Sequence, residues 1–306
     1  MTFVSTLGRK TVTLDISSRA IRLLLMSAKR VEKFASAPLE PGLIEDGLIT
    51  DPLALGTKVK GLMRSSGISG NRVVASVNGT YSVYRVLNLS EEAREPQDEK
   101  VLDMAVSAMP VAAEQLYISY QVMPDGQGRQ TAFVVGLPRD IVDAEVQGLR
   151  AVGVNPYILN LKGLALWKLV QLEHGVIVNM EADSLDVVLM AGGFPQVIRT
   201  VPVQDNCDLE DRIDRVVRIL RQTDGVYGSR QVRRKAEVDT PLVLAGPLAD
   251  DPAVVGALRR VAQYAILPLL VPVEYPVSMP VSHYAVNIGL ALRQGASPCG
   301  DVKTYA

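Results

Sequence analysis

Two distant stretches of this chain share one pattern. Thr11-Val12-Thr13-Leu14-Asp15-Ile16-Ser17-Ser18-Arg19-Ala20-Ile21-Arg22-Leu23-Leu24-Leu25 is a pair of apolar runs hinged on a polar turn, and Val176-Ile177-Val178-Asn179-Met180-Glu181-Ala182-Asp183-Ser184-Leu185-Asp186-Val187-Val188-Leu189-Met190 repeats it. Each reads as a buried strand, a tight turn and a returning strand. Asn179 stands in the second where Asp15 stands in the first. Two related hairpins predict two related halves facing each other across a cleft. A hairpin tip gathers backbone N–H groups and small hydroxyls at one spot, so the tips are candidate anion sites.

The length of 306 residues suits one two-lobed domain or two to three smaller ones, and 48% apolar with 21% charged residues is ordinary globular composition. Basic and acidic residues nearly balance, 32 against 33, which gives no reason to expect nucleic acid. Cys207 and Cys299 have no neighbour at metal-ligand spacing, so a reduced cytoplasmic protein without a metal site is the simple reading. His174 and His283 stand alone, and His174 reads as a loop residue. No signal peptide opens the chain, and no apolar run approaches the roughly 20 residues needed to span a bilayer.

Taken in order, the first hairpin leads to a third strand from Phe34 and a loop punctuated by Pro41, Gly42 and Gly47. Asp51-Pro52 predicts an N-cap and first turn for a helix ending at Gly67. Val73–Val77 and Val83–Leu89 alternate like strands across Asn78-Gly79. A charged run from Glu91 to Lys100 opens an expected insert over 90–153: a helix, strands Leu116–Met123 and Thr131–Leu137, and a helix from Ile141 to Val152. The first half-domain is then 1–89 with 154–172, and the second 173–306.

In the second half, Leu209, Ile213, Val216, Val217 and Leu220 predict an amphipathic helix whose other face carries Arg212, Arg215, Arg218 and Arg221. With Arg230, Arg233, Arg234 and Lys235 the segment is locally basic, and a solvated face is its simplest use. Leu242–Leu248 reads as a buried strand and turn, Asp251-Pro252 as the cap of a helix through Tyr264, and Val271–Val273 as a short strand. Tyr284–Arg293 reads as a small-residue helix able to approach another backbone at Gly289, followed by a frayed polar tail.

These features, with Asp15–Arg22, Pro41–Pro52, Ser119–Val122, Glu145–Pro156 and Asn287–Arg293 in order along the chain, resemble the actin-like (ribonuclease H-like) fold. Within it they resemble the PilM family of type IV pilus assembly proteins, which is also related to FtsA. The resemblance implies a duplicated α/β fold with a small α/β insert and a nucleotide site at the hairpin tips. By that resemblance the site comprises Asp15, Ser17, Ser18, Arg19, Asn179, Glu181, Asp183, Ser184 and Gly246, with Asp15 as the metal ligand if Mg-ATP binds. A helical subdomain normally closes over the nucleoside; here it is reduced to about 203–238.

Departures from the family pattern predict that this site is vestigial. Ser17 and Glu181 replace glycines that let backbone approach phosphate, and Gly246-Pro247-Leu248 replaces a glycine-rich turn. A Glu181 carboxylate about 4 Å from a polyphosphate would cost about 4 kcal/mol at an effective dielectric near 20. No cofactor is therefore expected, and Mg-ATP would bind weakly at best. The resemblance further implies a non-catalytic scaffold, cytoplasmic and peripheral at the inner face of the cell membrane. Its partner would be the cytoplasmic N-terminal peptide of a PilN-like membrane protein, with other platform proteins, the assembly ATPase and self-association as further contacts. The groove for that peptide falls between the strands carrying Val83 and Arg85 and those carrying Tyr117, Tyr120 and Val122. An active ATPase or kinase of the same superfold is the second reading, and an FtsA-like division protein or secretion platform the third.

Overall fold

A computed structural model describes residues 10–89, 98–124, 130–203, 208–227, 240–261, 264–292 and 303–305. Both hairpins form as expected. β1 (Lys10–Ile16) and β2 (Ala20–Ser27) pair antiparallel, as do β11 (Gly175–Met180) and β12 (Ser184–Ala191). Their apolar runs are continuous because both faces of each hairpin are covered.

Each hairpin is the centre of a five-stranded sheet, and the two sheets have the same topology. In the first, β3 (Arg30–Pro38) adds antiparallel to β2, while β6 (Arg72–Val77) and then β10 (Asn155–Leu161) add parallel on the β1 side. In the second, β13 (Phe194–Pro202) adds antiparallel to β12, and β14 (Thr240–Ala245) and β15 (Tyr264–Leu267) add parallel beyond β11. β4 (Ile44–Glu45) and β5 (Leu48–Ile49) form a two-residue ribbon in the loop after β3.

Helices repeat the duplication. α1 (Pro52–Ser66) and α3 (Arg139–Ala151) cover the outer face of the first sheet, burying Leu55, Val59, Leu62 and Leu149 against Leu14 and Leu23. α5 (Leu209–Tyr227) and α6 (Pro252–Val261) do the same for the second, through Ile213, Val216, Leu220, Val254 and Leu258. Between the sheets lie α4 (Lys162–Val170) and α7 (Ala285–Ala291), whose Ala165, Leu166, Val286 and Ile288 share one core with Leu24, Ile177 and Val188. α7 can lie on α4 because of Gly289, where a Cβ would fall 2.0 Å from the Ala165 carbonyl oxygen. Asp51 caps α1 through the Ala54 N–H, and Gly67 ends it in the left-handed region.

Several expectations shift. β6 and β7 (Val83–Asn88) are not a hairpin across Asn78-Gly79: β7 leaves the first sheet and pairs with β9 (Gln130–Pro138) in the insert. The insert sheet, with β8 (Leu116–Pro124) and α2 (Asp98–Ser107), therefore begins before residue 90. It also ends before α3, which packs on α1 where Gly56 and Gly148 meet. Tyr264 belongs to a strand rather than to α6, and the strand of this region is β15 rather than Val271–Val273, because parallel pairing with β14 satisfies Tyr264–Leu267. The tail is not wholly frayed: β16 (Lys303–Tyr305) pairs antiparallel with β8. The charged run at 90–97 and Arg230, Arg233, Arg234 and Lys235 lie outside the described residues.

Candidate functional site: a buried ion cluster between the hairpin tips

The two tips have the same local geometry. Ser17 N–H donates to the Ala20 carbonyl at 2.9 Å, and Glu181 N–H donates to the Ser184 carbonyl at 3.0 Å. Asp15 faces Arg22 across the first hairpin, as Asn179 faces Asp186 across the second. From that shared frame the side chains diverge. Ser17 folds back on its own tip, its hydroxyl accepting from Ala20 N–H at 3.2 Å. Glu181 reaches to the other half.

Arg22 is the hub. Its Nη1 donates to Asp15 Oδ2 at 3.1 Å and to Glu181 Oε1 at 2.8 Å, and its Nη2 to Glu181 Oε2 at 2.9 Å. The remaining Asp15 oxygen, Oδ1, accepts from the Ser76 hydroxyl at 2.6 Å and pairs with Lys162 Nζ at 3.2 Å. Asp15, Arg22, Lys162 and Glu181 are all buried. Burial pushes the Asp15 carboxyl up, but Lys162, Arg22 and the Ser76 hydroxyl outweigh it and hold the group below its ordinary range. Lys162 is pushed down by burial and raised on balance by Asp15, Glu181 and Asp186.

Second-half residues close the cluster. Asn179 and Thr200 donate to the two oxygens of Asp186, at 2.9 and 2.6 Å, and burial raises the Asp186 pKa. The Ser18 hydroxyl donates to Asp183, joining the two tips directly. Arg212 Nη1 donates to the carbonyls of Glu181 and Ala182, at 3.3 and 2.6 Å, so α5 holds the second tip by its carbonyl side. On the sheet side, Asn287 of α7 donates to the backbone carbonyls of Thr13 and Arg22 and to the Thr13 hydroxyl. Glu145 of α3 is buried near Lys162 and Asp15, with one carboxylate oxygen unpartnered among the described residues. Burial pushes its pKa up to about 8.

The candidate residues thus gather as expected, but two of them work differently. Glu181 does not project into an open phosphate site; it is buried and neutralised by Arg22, so the expected repulsion gives way to a filled position. Gly246 serves packing: it has φ +86°, and a Cβ there would fall 2.5 Å from the Met180 carbonyl oxygen. Beside the cluster a cleft of about 580 Å³ is lined by Ser17, Ser18, Arg19, Asp183 and Ser184, with Asn78 and Thr80. Its ionisable lining is balanced, Arg19, Lys162 and Arg215 against Glu45, Asp46 and Asp183. Magnesium does not fit Asp15 as it stands, because both carboxylate oxygens are held by protein donors and two cations lie within 3.2 Å.

The expected peptide groove does not converge. Tyr120 is buried with Ile118 and Val134 in the insert core, and Val122 packs against that core. Tyr117 lies on the opposite face, where its hydroxyl donates to Asp143 at 2.9 Å and its ring receives the Arg139 guanidinium at 4.3 Å. Val83 and Arg85 are on β7, separated from β8 by β9. In the insert sheet β16 lies beyond β8 on one side and β7 is outermost on the other.

Two matched sheets, helices between them and hairpin tips meeting at a cleft define an actin-like α/β protein. The same fold occurs in a Bacteroides thetaiotaomicron protein of actin-like ATPase fold and unknown function, with 12% identity, TM-score 0.53, and 96% of this chain and 100% of that one covered. The cytoplasmic domain of EpsL, an inner membrane component of the Vibrio cholerae type II secretion system, shares it at 15% identity and TM-score 0.51, with 93% and 96% covered. The chain belongs to the type IV pilus assembly protein PilM family, whose sequence profile matches residues 13–194. A PilM-PilN type IV pilus biogenesis complex is similar in structure at TM-score 0.71 and 19% identity, covering 93% of this chain and 98% of that one. No curated protein matches the sequence.

Proposed function

We propose that this PilM-family protein is a non-catalytic scaffold of a type IV pilus inner-membrane platform whose nucleotide site has become structural. One observation carries the reading: Arg22, Lys162 and Ser76 occupy both oxygens of Asp15, the residue that would hold a nucleotide's metal. Phosphoryl transfer needs a metal and an aligned nucleophile more than it needs covalent chemistry. Here protein cations stand where the metal's charge would be.

Lys162 supports the reading further. A buried lysine at the first position of a helix opposes the helix dipole and is costly to desolvate. Asp15 offsets that cost, which makes the pair a mutual substitution for a metal. The lobes are then held by fixed ion pairs rather than by a nucleotide, a suitable state for a protein that presents surfaces.

The surface partner in this reading is the cytoplasmic N-terminal segment of a PilN-like membrane protein; membership of the family and the likeness to a PilM-PilN complex support a PilN-like partner. No described helix is long and apolar enough to cross a membrane, so such a partner would supply the attachment to the inner face. The test is fluorescence anisotropy of a labelled peptide of that segment, titrated with the full chain with and without 1 mM Mg-ATP (about physiological). Saturable binding with one dissociation constant in both buffers is expected. Absence of binding, or a constant that moves with nucleotide, would overturn the reading.

A further inference from the structure

The buried ion cluster leaves most of the basic face of α5 unused. Arg212 holds the second tip and Arg215 lines the cleft, whereas Arg218 and Arg221 are exposed. So are Arg259 and Arg260 in the last turn of α6. None of these four guanidinium groups has an ion-pair or hydrogen-bond partner among the described residues.

The topology brings the four to one side. α5 starts beside the tip that Arg212 holds and runs away from it. β14 and β15 both begin at the opposite end of the sheet, where Thr240 pairs with Tyr264. α6 links the end of β14 to the start of β15, so it runs in the same sense as α5, and the two pack side by side over one core. Arg218, Arg221, Arg259 and Arg260 therefore lie on the outer face of the second half, towards the end remote from the hairpin tips. The exposed acids gather at the other end, Glu210 and Asp211 in the first turn of α5 and Asp251 just before α6. Asp214, one turn before Arg218, makes no ion pair with it.

Such a face suits a surface rich in phosphate, which guanidinium groups hold through paired N–H bonds. A specific protein interface usually adds a buried apolar or aromatic anchor. No large apolar side chain is exposed among the described residues of α5 and α6. A plane of anionic headgroups needs charge alone. With a formal net charge of −1 the whole chain offers no general attraction, so a local patch would also fix which side faces the lipid.

We propose that this outer face of α5 and α6 rests on an anionic phospholipid surface. Each cation near such a surface adds about fivefold to partitioning, so four of them orient the protein without anchoring it irreversibly. The contact is separate from any partner peptide.

Vesicle sedimentation of the full chain tests this with no peptide present. The vesicles are phosphatidylcholine alone, or with about 40% phosphatidylglycerol, in about 0.05 M or about 0.5 M salt. Binding to the anionic vesicles that is lost at high salt is expected. Arg218→Gln with Arg221→Gln, and separately Arg259→Gln with Arg260→Gln, should each weaken it about 25-fold. Arg64→Gln with Arg150→Gln removes equal charge from exposed positions on α1 and α3 of the first half and should leave binding unchanged. Equal binding to neutral vesicles, no binding to either kind, or a loss in this control as large as in the other pairs overturns the inference. So does a wild-type chain that binds a labelled poly-glutamate peptide in anisotropy but not the anionic vesicles, since the face would then serve an acidic protein. All of these results leave the partner-peptide test above to be decided by itself.

Discussion

The two hairpins share strand pairing, tip hydrogen bonds and the positions of their polar residues, yet they resolve their buried charges differently. In the second, Asp186 is satisfied within its own half by Asn179 and Thr200. In the first, Arg22 satisfies Asp15 beside it and Glu181 in the other half. The Asn179–Asp186 cross-strand pair is closed within its own half, whereas the Asp15–Arg22 pair joins the halves through Glu181. The difference teaches that a duplicated scaffold can keep its backbone frame while equivalent cross-strand pairs are put to different uses.

That comparison can be broken by mutation. Arg22→Ala leaves two carboxylates buried, and breaking such a group costs about 3–5 kcal/mol in urea denaturation. Arg22→Met combined with Glu181→Met should recover much of this, since an apolar replacement removes the unpaired charge. Thr200→Val, beside the second hairpin, should cost only about 1.5–3 kcal/mol, one hydrogen bond to a charged group. Equal losses for Arg22→Ala and Thr200→Val would erase the distinction between the joining pair and the locally closed one.

Glu145 sharpens the picture through pH. Its folded pKa near 8 exceeds the ordinary 4.5, so the unfolded chain releases this proton first as pH rises. Its contribution therefore lowers stability between pH 4.5 and 8 and levels off above. Glu145→Gln should flatten the fall by about 2–4 kcal/mol over that window, measured as the difference from wild type at each pH. An unchanged slope would mean that the carboxylate finds a partner on ionising.

Smaller effects separate packing from chemistry. Gly246→Ala forces a side chain at positive φ against Met180 and should cost about 2 kcal/mol, without any nucleotide present. Ser18→Ala removes the direct bond between the tips and should cost about 1 kcal/mol by the same denaturation assay. A neutral Gly246→Ala would return that glycine to the nucleotide site.

Much of this was readable from residues alone. The repeated hairpins, the Asp51 cap, the Gly67 stop and the Gly289 contact are signals carried within a few residues, where periodicity and turn chemistry act. The spacing Asp15 to Arg22, repeated as Asn179 to Asp186, could also have marked Arg22 as a cross-strand partner. Its second partner, Glu181, is 159 residues away, and no local pattern reports it. Lys162, a cation in a mostly apolar run, is a breach of local preference of the kind that can mark special sites, and it carries no turn or motif signal of its own. Strand membership was harder: β7 alternates like any strand, and only pairing decides which sheet it joins. The tail strand carries almost no apolar signal and was legible only once β8 offered an edge.

The central claim, that protein cations have replaced a nucleotide's metal at Asp15, is tested most directly by isothermal titration of Mg-ATP into the wild-type chain. The account predicts no saturable heat at concentrations up to about 1 mM, a binding energy weaker than about 4 kcal/mol. Stoichiometric binding in the micromolar range would contradict it, because Arg22 and Lys162 would then have to leave Asp15 for a metal.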